Sequence, residues 1–179
     1  MTTTDIPAPT TKGERHHYAI KRATEACEAL ETFQLARLAD CGTPASTTEG
    51  ADALDTARGI AVDAAVWELD NVDPDEAALI CAGDGADDLA DLTGDSVWEG
   101  VDGSAVLIYT ARKREAFHEL DGWQEDTGDF GTPSDLDEAA TWALFGILRR
   151  AAYAVVDEFA TAYTDAIAEY AELDDEDDQ

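Results

Sequence analysis

Basic residues are scarce in this sequence, and lysine is the scarcer of the two. The chain of 179 residues has 11 Lys and Arg against 41 Asp and Glu, which gives a formal net charge of -30 at pH 7. Its lysines are Lys12, Lys21 and Lys113. A surface of this charge repels nucleic-acid phosphates, so we expect no direct binding of DNA or RNA.

The same charge indicates the solvent in which the chain folds. Self-repulsion of this size destabilises a compact state in dilute buffer, whereas molar salt shortens the screening length to about 3 Å and removes most of the penalty. The hydrophobic fraction of 45% is too high for a disordered chain. We therefore expect a folded, halophilic protein, whose composition resembles that of proteins from salt-in archaea.

Cysteine is also sparse. Cys27, Cys41 and Cys81 are an odd number with no Cys-x-x-Cys spacing, so neither a disulfide framework nor a zinc site is predicted. A cysteine nucleophile would need a neighbouring base, and His118 is the one histidine outside the N-terminal region. We expect the three cysteines to be small core residues in a reducing compartment.

Long apolar runs are missing as well. The longest mostly apolar run, AATWALFGIL, is much shorter than the roughly 20 residues that a membrane helix needs. The N-terminal MTTTDIPAPTTKGER lacks the apolar segment of a secretory signal. A cytoplasmic protein without membrane association is therefore expected.

Helical periodicity dominates the first half of the chain. Residues 13–40 keep apolar side chains at helical spacing and predict one amphipathic helix, with Gly42 as its C-terminal cap. Ser46-x-x-Glu49 resembles a capping box, and it predicts a second helix that ends near Asn71. Its predicted apolar face consists of Leu54, Ala57, Ala61, Ala65 and Leu69.

Shorter helices are predicted next. Asp73 and Pro74 fit the N-cap and first position of a short helix, for which a strand is the alternative. The segments ADDLADL and SVWEGV predict one helix or two short ones, interrupted at Gly94.

The C-terminal part predicts one buried extended segment and a long helix. Residues 105–109, AVLIY, are rich in strand-forming side chains and favour a short buried extended segment, followed by a helix from Thr110. Ser134-x-x-Asp137 caps a long helical run, with a break considered near Gly146 or after Phe159.

The predicted fold is therefore mainly α: a single-domain helical bundle with one short buried extended segment and a long C-terminal helix. Residues 1–12 are expected to form a disordered arm, residues 13–173 the helical domain and residues 174–179 an acidic tail. The predicted core residues are Ile20, Leu30, Leu38, Leu54, Trp67, Leu107, Tyr109, Phe117, Leu120, Trp142, Phe145, Leu148, Val155 and Phe159.

One basic cluster stands out against the acidic background. Arg112, Lys113 and Arg114 fall in the first turn of a predicted helix, where the helix dipole favours anions instead. They either pair with nearby carboxylates or form an anion site that a second pair, Arg149 and Arg150, could join.

Two aromatic residues follow this cluster. Trp123 and Phe130 lie in the Gly-rich acidic loop DGWQEDTGDFGTP, where they either plug the core or form part of a partner-binding surface. The candidate partner-binding residues are Arg112, Lys113, Arg114, Trp123, Phe130, Arg149 and Arg150.

Two Glu-x-x-His pairs were weighed as metal ligands. Glu115 with His118, and Glu14 with His17, have the spacing found in four-helix di-iron proteins. Glutamate is frequent here, and the first histidines lie near a helix start, so both His16 and His17 are expected to be exposed. No metal or cofactor is predicted, and an enzyme is less expected than a binding protein.

The segments SAVLIYTARKREAFHELDGW and AATWALFGILRRAAYAVVDEF resemble small proteins encoded by phages, haloarchaeal viruses and integrated elements. Leu107, Ile108, Tyr109 and Thr110 carry the resemblance, which covers roughly residues 85–160. It implies an accessory protein of a mobile element. We therefore expect a non-enzymatic protein that binds a protein partner through the region from Arg112 to Phe130. An acidic nucleic-acid mimic and a small metal-dependent enzyme are the alternatives.

Overall fold

The computed structural model describes residues 9–40, 45, 48–82, 87–97, 100–101 and 136–176, without the side chains of 49, 136–144 and 171–176. Within these residues the chain forms six helices and no strand, so the mainly α class is confirmed. The helices are α1 (Lys12–Glu28), α2 (Thr32–Leu38), α3 (Thr48–Asp70), α4 (Pro74–Cys81), α5 (87–97, with residues 100–101 also helical) and α6 (Leu136–Glu176). The predicted extended segment 105–109 lies outside the described residues.

A reciprocal cap starts α1. The Thr11 hydroxyl accepts a hydrogen bond from the Glu14 amide at 3.2 Å, and the Glu14 carboxylate accepts from the Thr11 amide at 3.1 Å. Thr10 donates to the same carboxylate through its amide and hydroxyl. These bonds, the Thr10 amide first, lower the pKa of Glu14. The cap lies at the end of the segment predicted as an arm.

The prediction of one helix over residues 13–40 is wrong, because the chain breaks between α1 and α2. Ala29 ends α1, and Glu31 has extended backbone angles (φ -67°, ψ 148°) before α2 begins. The Arg58 guanidinium of α3 donates to the Leu30 carbonyl inside this break and to the Asp55 carboxylate. A side chain from another helix thus replaces an intrahelical hydrogen bond that the break removes.

The remaining helix predictions mostly agree with the structure. The Asp73 carboxylate accepts from the Asp75 amide at 2.9 Å as the N-cap of α4, which excludes the strand alternative. α5 continues through Gly94, and α6 continues through Gly146 and Phe159, so the interruptions considered there are wrong. One glycine costs a helix only about 1 kcal/mol, and packing overrides it.

α6 is the element against which the others pack. α1 and α3 make most of their interhelical contacts with it, and α2 and α4 also touch it. The α3 face predicted from the sequence is buried: Leu54, Ala57, Ala61, Ala65 and Leu69. Small side chains at these positions let the helix axes approach closely.

The predicted core is right at six described positions and wrong at three. Ile20, Leu54, Phe145, Leu148, Val155 and Phe159 are buried. Leu38 is 56% exposed and Trp67 is 64% exposed, while Leu30 is half-buried. Trp67 lies two residues from both Ala65 and Leu69, which turns it to the opposite side of α3. The other predicted core side chains, Leu107, Tyr109, Phe117, Leu120 and Trp142, lie outside the description.

None of the described helices combines the length with the apolar character that crossing a bilayer requires.

Candidate partner-binding surface

Two of the predicted partner-binding residues are described, and both belong to α6. Arg149 and Arg150 are half-buried, and the Arg149 guanidinium lies over the Tyr153 ring, 5.9 Å from its centroid. This distance allows a cation–π attraction. Arg112, Lys113, Arg114, Trp123 and Phe130 lie outside the described residues, so their convergence with α6 stays a prediction.

A buried polar pair lies between α1 and α6. Nδ1 of His16 is 2.8 Å from the hydroxyl oxygen of Tyr163, and His16 is only 4% exposed. The prediction that His16 faces solvent is therefore wrong, whereas His17 is exposed as predicted. Burial, and then the neighbouring charge of His17, lowers the pKa of His16, and burial raises the pKa of Tyr163. Since both side chains are buried, the pair is part of the core.

The described cysteines are core residues, as predicted. Cys27 and Cys81 are free and buried, and burial raises the pKa of each thiol to about 12. The Cys27 thiol donates to the Val155 carbonyl at 3.6 Å. A thiol with this pKa is protonated at neutral pH, so neither cysteine has the lowered pKa of an activated nucleophile. Cys41 lies outside the description.

The two Glu-x-x-His pairs, which are spaced like metal ligands, are not seen to form a metal site within the described ranges. Glu14 is used in the cap of α1, where its carboxylate binds amides and a hydroxyl instead of a metal. Among the residues that the structure describes, no three His, Cys, Asp or Glu side chains lie together in a way that could hold a metal ion. Glu115 and His118 lie outside these residues.

A surface groove runs between α4 and α5 and is lined in part by apolar side chains, which we call its floor. Leu79 is 75% exposed and Leu92 is 48% exposed, and both line the groove with the half-buried Ile80. The groove has a volume of about 430 Å³. Leu79 projects outward because Ala77 and Cys81, two residues before and after it, carry the buried face of α4.

Carboxylates form the rim of this α4–α5 groove. Glu76 comes from α4, and Asp88 and Asp91 come from α5. Among the described residues that line the groove there is no Lys or Arg. The groove therefore combines an apolar strip with negative charge on both sides.

A second groove lies on the other side of α5, against α6. Asp87, Asp91, Asp157 and Tyr153 line it with Ala90, in a volume of about 750 Å³. Asp91 borders both grooves. Because Arg149 lies on the Tyr153 ring, this α5–α6 groove is the place where a predicted site residue adjoins the acidic surface.

A third groove, between α1 and α6, has a different character. Its floor consists of alanines, Ala26, Ala162 and Ala166, and its walls include Arg22 as well as acids such as Glu158. Among its described lining residues no large apolar side chain is present. It therefore presents less apolar area to a partner than the α4–α5 groove does.

The sequence analysis missed Leu79 and Leu92, although a local signal for Leu79 existed. The small residues Ala77 and Cys81 are four positions apart and lie on the same face of α4. Leu79, midway between them, lies on the opposite face. Exposed apolar side chains indicate a binding surface where several of them lie next to one another, as Leu79 and Leu92 do along this groove. Comparisons of the chain with known protein families, with curated proteins and with solved structures find no match.

Proposed function

We propose that this protein is a non-enzymatic accessory protein that binds a partner protein through the α4–α5 groove. The observation that carries the proposal is the exposure of Leu79 and Leu92 along one groove. Full burial of a leucine side chain contributes about 1.5–3 kcal/mol, which a partner gains by covering this floor. Exposed apolar strips inside a polar rim are typical of protein-binding sites.

The described titratable groups favour binding over catalysis. The Cys27 and Cys81 thiols are buried and protonated, and the buried His16 is hydrogen-bonded to Tyr163. None of these groups lines the α4–α5 groove. The metal-dependent enzyme built on Glu115 and His118 therefore ranks behind the binding protein.

The composition of the chain and its resemblance to mobile-element proteins indicate the kind of host and genetic element in which this function is exercised. The charge of -30 favours a halophilic host, and the Leu107–Thr110 element favours an accessory protein of a haloarchaeal virus, plasmid or provirus. Exposed carboxylates occur on α1, α3, α4, α5 and α6 rather than along one ridge. This spread fits adaptation to salt better than a nucleic-acid mimic, which needs carboxylates at phosphate-like spacing.

The test compares three forms of the tagged protein in host lysate at molar salt. They are the wild type, the double variant L79S/L92S, and the control Leu38→Ser, which removes an exposed leucine from α2 instead. Exposed substitutions of this kind change stability by no more than about 0.5 kcal/mol. We expect one stoichiometric protein to be retained by the wild type and the control and to be lost by the double variant.

Other results would overturn the proposal. Equal retention by all three forms would show that the partner binds elsewhere. Retention of no protein, together with a stoichiometric metal in the same eluate, would favour the metal-dependent enzyme.

A further inference from the structure

We infer that the occupant of the α4–α5 groove is an amphipathic segment of a partner protein, with its apolar side chains flanked by Lys or Arg. This inference rests on the proposed function and adds the chemistry of the partner. It follows from the shape of the floor and from the charge of the rim.

The floor fits a single segment and not a broad surface. Leu79 and Ile80 of α4 and Leu92 of α5 line the same groove, and its volume of about 430 Å³ accommodates a few large side chains. A helix that lies in a groove supplies such side chains from one face, at positions i, i+3 or i+4, and i+7. The strip therefore fits a short amphipathic segment.

The rim selects the charge of that segment. Glu76 belongs to α4, and Asp88 and Asp91 belong to α5, so a segment in the groove meets carboxylates from both helices. Asp87 and Asp157 extend the negative surface beyond Asp91 into the α5–α6 groove. Lys or Arg next to the apolar side chains would pair with these groups, whereas acidic side chains would be repelled.

The same charges argue against a second copy of this chain as the occupant. A second copy would bring the carboxylates of one rim directly against those of the other, and this contact stays unfavourable even where salt screens the net charge of -30. In molar salt the screening length of about 3 Å leaves only direct ion pairs effective. The basic residues of the partner must therefore contact the rim directly.

The test uses four labelled synthetic peptides of equal length and measures binding by fluorescence anisotropy in 1 M KCl. The first places leucines on one helical face between lysines and arginines, the second has the same composition in scrambled order, and the third and fourth replace the basic residues by Gln and by Glu. We expect saturable binding of the first peptide, binding of the Gln peptide about tenfold weaker, and no saturable binding of the scrambled and Glu peptides.

Protein variants separate the floor from the rim. L79S/L92S should lose binding of both the basic and the Gln peptide. E76Q/D88N/D91N should weaken the binding of the basic peptide about tenfold and leave the binding of the Gln peptide unchanged. The control D52N/D63N/D165N makes the same change in charge at exposed positions outside this groove and should have no effect. Circular dichroism verifies that each variant is folded.

Several outcomes would overturn the inference. If the Gln peptide binds as tightly as the basic one, or the rim variant binds unchanged, the partner is not basic, while the proposed function stands on the lysate experiment. If no peptide binds but the lysate partner still depends on Leu79 and Leu92, the occupant is not a short segment. A dimer in light scattering that L79S/L92S dissociates would identify a second copy. Tighter binding of a peptide of residues 104–120 would identify the chain itself.

Discussion

His16 in α1 and Tyr163 in α6 form a hydrogen bond of 2.8 Å inside the core, between residues that are 147 positions apart in the sequence. Their rings meet edge to face, with centroids 5.9 Å apart. The Leu69 backbone of α3 also interacts with the imidazole. One polar side chain thus interacts with groups on two other helices.

The stability of the protein should therefore depend on the protonation of His16. Burial and the charge of His17 lower its folded-state pKa, whereas Asp70 and Asp73 raise it to a smaller extent. The pKa of an unfolded histidine is about 6.5, so below this pH the unfolded chain binds the proton more readily. The stability that is present above pH 6.5 is then lost as the pH falls toward the folded-state pKa.

Urea unfolding of the wild type and of His16→Asn, measured from pH 8 to 5.5, would check this effect. We expect the wild type to have the larger free energy of unfolding at pH 8. The difference between the two proteins should become smaller as the pH falls. Carboxylates titrate equally in both proteins and cancel in the difference. A difference in the free energy of unfolding between the wild type and His16→Asn that stays constant with pH would contradict the prediction.

Tyr163→Phe should destabilise the protein by about 1–2 kcal/mol, because it leaves the buried Nδ1 of His16 without this partner. The matched control is Tyr153→Phe, which removes the hydroxyl of a half-buried tyrosine beside the α5–α6 groove. Its effect should stay within about 0.5 kcal/mol. If urea unfolding shows the same loss of stability for both variants, the buried hydrogen bond contributes no more to stability than the hydroxyl of Tyr153 does.

Arg58→Met tests the break between α1 and α2. The change keeps an apolar side chain but removes the donor to the half-buried Leu30 carbonyl, at an expected loss of about 1–2 kcal/mol. Arg22→Met is the control, since its ion pair with Glu25 is exposed, has a separation of 3.8 Å and should contribute less than about 0.5 kcal/mol. If both variants unfold at the same urea concentration, Arg58 does not hold the break.

Two glycine-to-alanine substitutions should change the stability of the protein in opposite directions. Gly59 lies on the exposed side of α3 with open space around it, so Gly59→Ala should stabilise the protein by about 0.5–1 kcal/mol. A Cβ at Gly100 would lie 2.9 Å from two carbons of Ile60, so Gly100→Ala should destabilise it by about 1–3 kcal/mol. Thermal unfolding of the two variants distinguishes these signs, and a stable Gly100→Ala protein would refute the close packing of the two residues.

Buried thiols should resist modification. In a Cys41→Ser protein at pH 8, Cys27 and Cys81 have pKa values of about 12, so only about one thiol in 10,000 is ionised at a time. We expect a disulfide reagent to label neither residue in the native state and both in denaturant. Rapid labelling of the native protein would show that one of these sites opens readily.

Local signals predicted much of the fold. The start of α4 follows from Asp73 and Pro74, and the buried face of α3 follows from apolar spacing, because both depend on residues a few positions apart. The break after α1 depends on Arg58, which lies 28 positions from the Leu30 carbonyl that it binds. Buried apolar residues keep their helical spacing across the break, since Cys27 before it and Leu35 after it are both buried. The spacing of apolar residues therefore could not reveal the break.

The candidate site was less accessible to sequence reasoning. The basic clusters attracted attention because they contrast with the acidic composition, and of these the structure describes Arg149 and Arg150. A groove between two helices depends on how they pack, and neither the exposure of Leu92 nor its position beside Leu79 follows from the pattern of either helix alone. His16 was missed for the same reason, because its partner Tyr163 lies on a distant helix.

The place of α6 in the chain affects how the protein is made. α6 begins 108 residues after the end of α1, so a ribosome working at 5–20 residues per second needs roughly 5–20 s to synthesise the part between them. During this time the apolar faces of α1 and α3 lack the helix that covers them. The packing of α1 and α3 can therefore be completed only after α6 has been synthesised.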